Sequence, residues 1–244
     1  MKNFLVTVSF ILVCYPVLSQ HVSLVEDKII TGDESVNGWL FNVCEDAEFA
    51  KDDIKKYLKD QYDLKSKKVN KYTEIVTEAE IPNVSTRRGD LLIYVQHSDT
   101  GNIMGLSFVL GYDISLNSKD NKAEMDHFRD VAKDFIEYHF NSYYSDKISD
   151  LDKLLNSAKK DLHKKESDIS SMKKKEMNLD KKLSKEDDTE KKDELEKDIE
   201  KLLADIEDTY DVLPALKEQV ETMQLDRDKY KQELLDYQYE IKRL

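Results

Sequence analysis

Residues 195–244 read LEKDIEKLLADIEDTYDVLPALKEQVETMQLDRDKYKQELLDYQYEIKRL. From Leu195 the apolar side chains return at alternating steps of four and three: Ile199, Leu202, Ile206, Thr209, Leu213, Leu216, Val220, Met223, Arg227, Tyr230, Leu234, Tyr237, Ile241 and Leu244. A seam of this period marks a helix that buries one stripe against another helix. Its register passes straight through Pro214, which removes one backbone hydrogen bond and predicts a kink near Tyr210.

A partner seam lies upstream. It runs Ile148, Leu151, Leu155, Ala158, Leu162, Ile169, Met172, Leu179 and Leu183, with Lys165 and Glu176 as exceptions. Extended further, it would demand contacts at Glu186, Glu190, Asp193 and Lys197, so the two seams are out of phase and belong to two helices. The break falls in residues 184–189 (SKEDDT), where Asp188 or Thr189 can cap the returning helix. A connection this short makes long helices antiparallel neighbours. Charge agrees: residues 147–185 hold 12 Lys against 7 acids, and residues 186–244 hold 10 Lys plus Arg against 20 acids, giving arms of +5 and −10. Opposite signs favour pairing between unlike arms. At about 1.5 Å per residue the returning helix spans about 84 Å and brings Leu244 opposite Asp130. The same seams also leave open self-association as a parallel dimer.

All six glycines lie between Gly32 and Gly111, and Pro214 is the one proline after Tyr112. Breakers thus confine mixed structure to the first half and predict long helices beyond. Gly38 to Val43 reads as a strand, and Asp46 caps a helix with an inner face through Phe49, Ala50, Ile54, Tyr57 and Leu58. Val69, Lys71, Thr73, Ile75 and Thr77 alternate in a β-rich segment ended by Pro82. Leu91 to Val95 is a strand, residues 98–102 a hairpin loop, and Ile103 to Ile114 the strand that pairs back. A helix starting at residues 118–120 has its inner face through Met125, Phe128, Val131, Ala132, Phe135 and Phe140. The expected fold is an α+β head domain, β-α-β-β-β-α, with an antiparallel sheet and helices on one face, followed by a long antiparallel coiled-coil hairpin. The head takes residues 20–145 and the hairpin residues 146–244.

Residues 1–19 read as a secretory signal peptide: Lys2 supplies a positive start, Phe4 to Val13 an apolar run, and Val17 and Ser19 the small or aliphatic residues before cleavage at Gln20. The run is about half of the roughly 20 residues a bilayer crossing needs, so no transmembrane anchor is expected after its removal. The protein is expected in the periplasm, at the cell surface or outside the cell. Processing takes the net charge from −13 to −14 and leaves Cys44 alone, read as a small residue at a strand end. The acidic balance argues against nucleic-acid and anionic-membrane partners.

Motifs for chemistry are sparse. Asp99-Thr100-Gly101 is one copy of a triplet that aspartic proteases need twice, and it falls in a hairpin loop. Arg88-Gly89-Asp90 is a turn leading into a strand, and Asn83-Val84-Ser85 a glycosylation sequon. His21, His97, His127, His139 and His163 show no ligand spacing, and the acids near 186–190 lack the spacing and glycine of a calcium loop. No catalytic residue, metal site or cofactor is expected. The aromatic group Tyr138, Phe140, Tyr143 and Tyr144, where head passes into coil, is a candidate protein-binding patch, with packing against Tyr237 and Tyr239 as the competing role.

Residues 69–85 (VNKYTEIVTEAEIPNVS), Asp90 to Val95 (DLLIYV), Asp126 to Val131 (DHFRDV) and the charged coil together resemble uncharacterised exported proteins of Bacteroidota. The resemblance covers most of the mature chain and implies an exported α+β module followed by a coiled coil, with no activity attached. The reading is an exported, non-catalytic structural or protein-interaction protein with a protein partner. Its alternatives are a periplasmic holdase-like chaperone and, third, an enzyme of the head domain.

Overall fold

The computed structural model describes residues 22–31, 34–43, 47–98, 101–111 and 114–244. The expected signal peptide, Cys44, the Asp46 cap and the loop residues Asp99 and Thr100 lie outside the described residues. By contact the chain divides into two compact units. One holds the described residues of Met1–Ala47, with Leu64–Lys133 and Arg243–Leu244; the other holds Glu48–Asp63 and Asp134–Lys242.

In the first unit, strands β1 (Leu24–Thr31), β2 (Glu34–Val43), β3 (Lys67–Lys68), β4 (Thr73–Ala79), β5 (Gly89–Ser98) and β6 (Gly101–Val109) form one antiparallel sheet in the order β1-β2-β6-β5-β4-β3. Register places alternate residues of neighbouring strands on a common face. Phe41 pairs with Met104, and Met104 with Val95; Leu106 pairs with both Trp39 and Ile93. These side chains are all buried, as are Phe108 and Leu91. The first turns of helix α2 (Lys122–Leu183) lie against that face: the Phe128 ring meets Phe108 at 6.1 Å, and the Trp39 indole N–H donates to the Met125 carbonyl at 3.3 Å. Burial of a side chain such as Phe128 contributes about 2–3 kcal/mol. Gly38 is required by close approach, because a Cβ there would lie 2.3 Å from the Leu106 carbonyl oxygen.

The expected strand order lacks β1 and β3. β1 is an edge strand whose centre, Glu26-Asp27-Lys28, is charged, so the alternation of a half-buried strand is broken. The parity expected for β4 is also corrected. Glu74 and Val76 face inward with Ile93 and Leu91 as partners, and Val69 lies before the strand. The register shifts between Val76 and Ala79, where Glu78 takes φ of 51°, so no single alternation runs through the segment. β6 ends at Val109 rather than Ile114, since the chain turns at Gly111 with φ of 107°. α2 begins at Lys122, after a turn in which the Asn117 side-chain oxygen accepts from the Lys119 and Asp120 amides.

The second unit is helical: α1 (Ala47–Tyr62) enters it from Glu48, α2 from Asp134, and α3 is Thr189–Ile241. The hairpin has the expected form. α2 stops at Leu183 and α3 starts at Thr189, with the Asp188 carboxylate accepting from the Glu190 and Lys191 amides as its N-cap. Every position of the α3 seam from Leu195 to Leu244 is buried or half-buried. On α2, Lys165 is the one exposed seam position, and Glu176 is half-buried. The facing pairs set the register. Lys217 lies 3.8 Å from Glu166, and the Lys173 ammonium stands 5.1 Å over the Tyr210 ring, so seven residues forward on one arm match seven back on the other. α3 remains helical through Pro214.

Candidate functional site

The four aromatic residues singled out from the sequence do come together, around a polar cluster that the sequence did not reveal. Within the helical unit, Phe140 stacks on Tyr237 with centroids 4.3 Å apart and planes at 21°. Tyr144 reaches Tyr237 at 5.5 Å and Tyr230 at 6.1 Å. Phe140 and Tyr144 are buried, so they are consumed by packing between α2 and α3. Tyr138 and Tyr143 are half-buried and turn toward α1, meeting Tyr57 and Phe49 at 5.6 Å each. Tyr239, expected among the packing partners, is exposed. Spacing explains the division: Tyr144 is the next seam position before Ile148 and Phe140 lies one turn further back on the same side, whereas 138 and 143 fall on the flank that α1 covers.

Beneath these rings lies His139, fully buried, between Phe135 at 5.9 Å, Phe140 at 5.6 Å and Phe49 at 5.8 Å. Its Nδ1 is 2.8 Å from Oδ2 of Asp53 on α1, and the Ser142 hydroxyl donates to Oδ1 of the same carboxylate at 3.2 Å. Serine, histidine and aspartate therefore meet, but in the order Ser142-Asp53-His139. The hydroxyl bonds the carboxylate instead of the imidazole, so the histidine is not placed to take the serine proton as a nucleophile would require. The cluster serves as a polar clip joining α1 to α2 in an aromatic surround. Tyr57, beside it on α1, has its phenol pushed well above the ordinary range by burial, with a hydrogen bond to Tyr62 adding to the shift. The pair was invisible from the sequence because the two residues stand 86 positions apart and neither belongs to a motif.

A separate contact closes within the sheet unit. The Arg129 guanidinium sits 5.9 Å over the Trp39 ring and donates to the Leu244 backbone oxygen. The chain end thus returns one residue from the expected position opposite Asp130.

Arg88 of the Arg-Gly-Asp triplet lies 3.5 Å from Glu80, and Gly89 begins β5. Among the described residues no group of three or more His, Cys, Asp or Glu is gathered to hold a metal ion, and no helix is long and apolar enough to cross a membrane. An open groove at the hairpin turn is lined by Lys181, Lys182, Lys185 and Lys191 together with Glu186 and Glu194. No family model matches the chain, nor does any curated protein or solved structure.

Proposed function

We propose that the chain is an exported, non-catalytic structural or protein-interaction protein in which the helical hairpin acts as a spacer or docking arm. One observation carries this reading: the seams of α2 and α3 are buried along almost their whole length, leaving outer faces made mostly of charged and small polar side chains. An arm built this way is stiff, and α3 alone extends about 80 Å at 1.5 Å per residue. The aromatic stack of Phe140, Tyr144 and Tyr237 and the His139–Asp53 clip fix its base, which a lever or spacer needs. Export rests on the character of residues 1–19 and on the resemblance to exported Bacteroidota proteins.

The test is a photo-crosslinking side chain placed in turn at Asp187 in the hairpin turn, at outer positions of both arms, and at Ile206 in the seam, in cells of the source organism. Discrete intermolecular adducts are expected from the turn or outer positions, and none from Ile206. Silence at every outer position removes the docking reading.

A second reading, a holdase-like chaperone, draws on apolar side chains left on the outer side of α3, where Leu225, Leu235 and Tyr239 are 71%, 59% and 64% exposed. Light scattering of a reduced, unfolded client separates the two. Suppression of aggregation at equimolar protein selects the holdase, and no effect at excess eliminates it.

A further inference from the structure

Charge on the hairpin is sorted by face as well as by arm. On α2, the positions turned away from the seam between Asn156 and Leu183 carry Lys160, Lys164, Lys174 and Lys181, and Lys185 follows in the turn. The remaining outward positions are serines, asparagines, His163 and Met177, with no acidic residue, and all are exposed. The acids of this arm, such as Glu166 and Asp180, sit on the flanks of the seam. On α3 the sorting is reversed. Outward positions from Glu200 to Glu221 carry Glu200, Glu207, Asp208, Asp211, Glu218 and Glu221, with Ala204, Pro214 and Ala215 and one lysine, Lys201. These too are exposed.

The two backs lie at the same level along the arm. The register that sets Glu166 against Lys217 and Lys173 against Tyr210 puts residues 162–185 level with 198–221. They are nevertheless separate surfaces, because two packed helices hold their outer faces roughly 20 Å apart, more than twice the Debye length of about 8 Å at physiological salt. The net charge of −13 therefore hides a basic surface that does not neutralise its acidic counterpart.

We infer that the basic back of α2 docks on the acidic back of α3 in a second copy of this chain. Copies set side by side without axial offset bring Lys160 and Lys164 of one beside Glu218 and Glu221 of the next. The same placement brings Lys174 beside Asp208 and Asp211, and Lys181, about two turns nearer the hairpin tip, beside Glu200 and Lys201. Contact between two α2 backs, or between two α3 backs, opposes like charges. The arrangement is thus heterologous, each copy offering one surface of each sign, and it propagates as a lateral array unless the rotation between copies closes a ring. It is distinct from pairing through the seams, which are already filled within one chain. This inference rests on the docking-arm reading and names the arm's partner. A chain that stays monomeric removes the second copy as that partner and leaves crosslinks to other proteins unaffected.

The experiment is sedimentation velocity of the full chain over a concentration series at about 20 mM and about 500 mM salt, where the Debye length falls from roughly 20 Å to about 4 Å. Association that grows with concentration at low salt and disappears at high salt is expected. The variant K160E/K164E/K174E, and separately D208K/D211K/E218K, should each shift the association at least about tenfold toward higher concentration, the product of several exposed pairs of modest strength. An equimolar mixture of the two variants should associate again, because each now carries backs of one sign that complement the other. Unchanged helical circular dichroism confirms that all these exposed substitutions fold. A native chain that is monomeric at low salt overturns the inference, as do variants that associate like the native chain or a mixture that fails to recover. Binding of a monomeric native chain to mixed phosphatidylcholine and phosphatidylglycerol vesicles, lost in the lysine variant, also overturns it by assigning the basic back to a lipid surface.

Discussion

Replacing His139 with leucine probes the base of the arm most sharply. The imidazole is fully buried, and its partner carboxylate on Asp53 has a side chain only 8% exposed, held otherwise by the Ser142 hydroxyl at 3.2 Å. Leucine has about the volume to stay among Phe49, Phe135 and Phe140, so the main loss is the polar partner. Removing one side of a buried pair leaves an uncompensated charge and costs about 3–5 kcal/mol. Replacing both partners with apolar residues costs far less, because no charge is then stranded. The expected series in urea unfolding, followed at 222 nm, is a loss of about 3–5 kcal/mol for His139→Leu. Asp53→Leu should cost less than that, since it strands a buried imidazole rather than a buried carboxylate. The double variant should be well more stable than the sum of the two losses implies, with a coupling of at least about 1.5 kcal/mol. A His139→Leu cost below about 1 kcal/mol, or strictly additive single variants, would refute the clip as a coupled pair holding α1 on α2.

Two further outcomes follow from the helical unit. Pro214 is exposed in the interior of α3 and supplies no amide to the Tyr210 carbonyl, so Pro214→Ala should raise the unfolding midpoint by the equivalent of about 1–3 kcal/mol, and a loss of stability would show that the chain needs the proline there. The Tyr57 phenol is held above its unfolded value by burial, so the folded state binds its proton more tightly. Its contribution to stability is complete below about pH 10 and declines as pH rises above that. In spectrophotometric titration at 295 nm, Tyr57→Phe should match the native chain while folded and show one tyrosine fewer only after unfolding. A difference between variant and native chain within the ordinary phenol range would contradict the burial.

The parts of this fold legible in the sequence are those fixed by local periodicity. Leu155, Ile169, Leu202, Ile206 and Leu213 announce themselves by spacing alone, and the phase break between Leu183 and Leu195 locates the turn to within a few residues, as the Asp188 cap shows. Where pairing is long-range, that signal fails. β1 owes its place to β2, and its Asp27 and Lys28 need not be apolar because an edge strand has only one neighbour. The bulge near Glu78 interrupts the alternation of β4, and before it the inward side chains include Glu74 and Val76, which lie between the residues whose alternation the sequence displays. α1 shows its own apolar face in sequence, but nothing local tells that it keeps company with α2 from Asp134 onward; Phe49, Tyr57 and the Asp53–His139 bond decide that. The candidate site divides the same way. Tyr138, Phe140, Tyr143 and Tyr144 stand out as a run of rings, whereas His139 lay in plain view among them and only its distant carboxylate gives it a role.

The arm, its spacer role and its charged backs all depend on the hairpin. A pair of spin labels at Ser157 and Gln219, both exposed, tests it directly in chain diluted with unlabelled protein. Antiparallel arms in the register of Glu166 with Lys217 place these positions about two turns apart along neighbouring helices, so a single distance below about 30 Å is expected. Sixty-two residues of continuous helix with the same rise would span about 93 Å, and a separation above about 40 Å would mean that the arms do not fold back on one another.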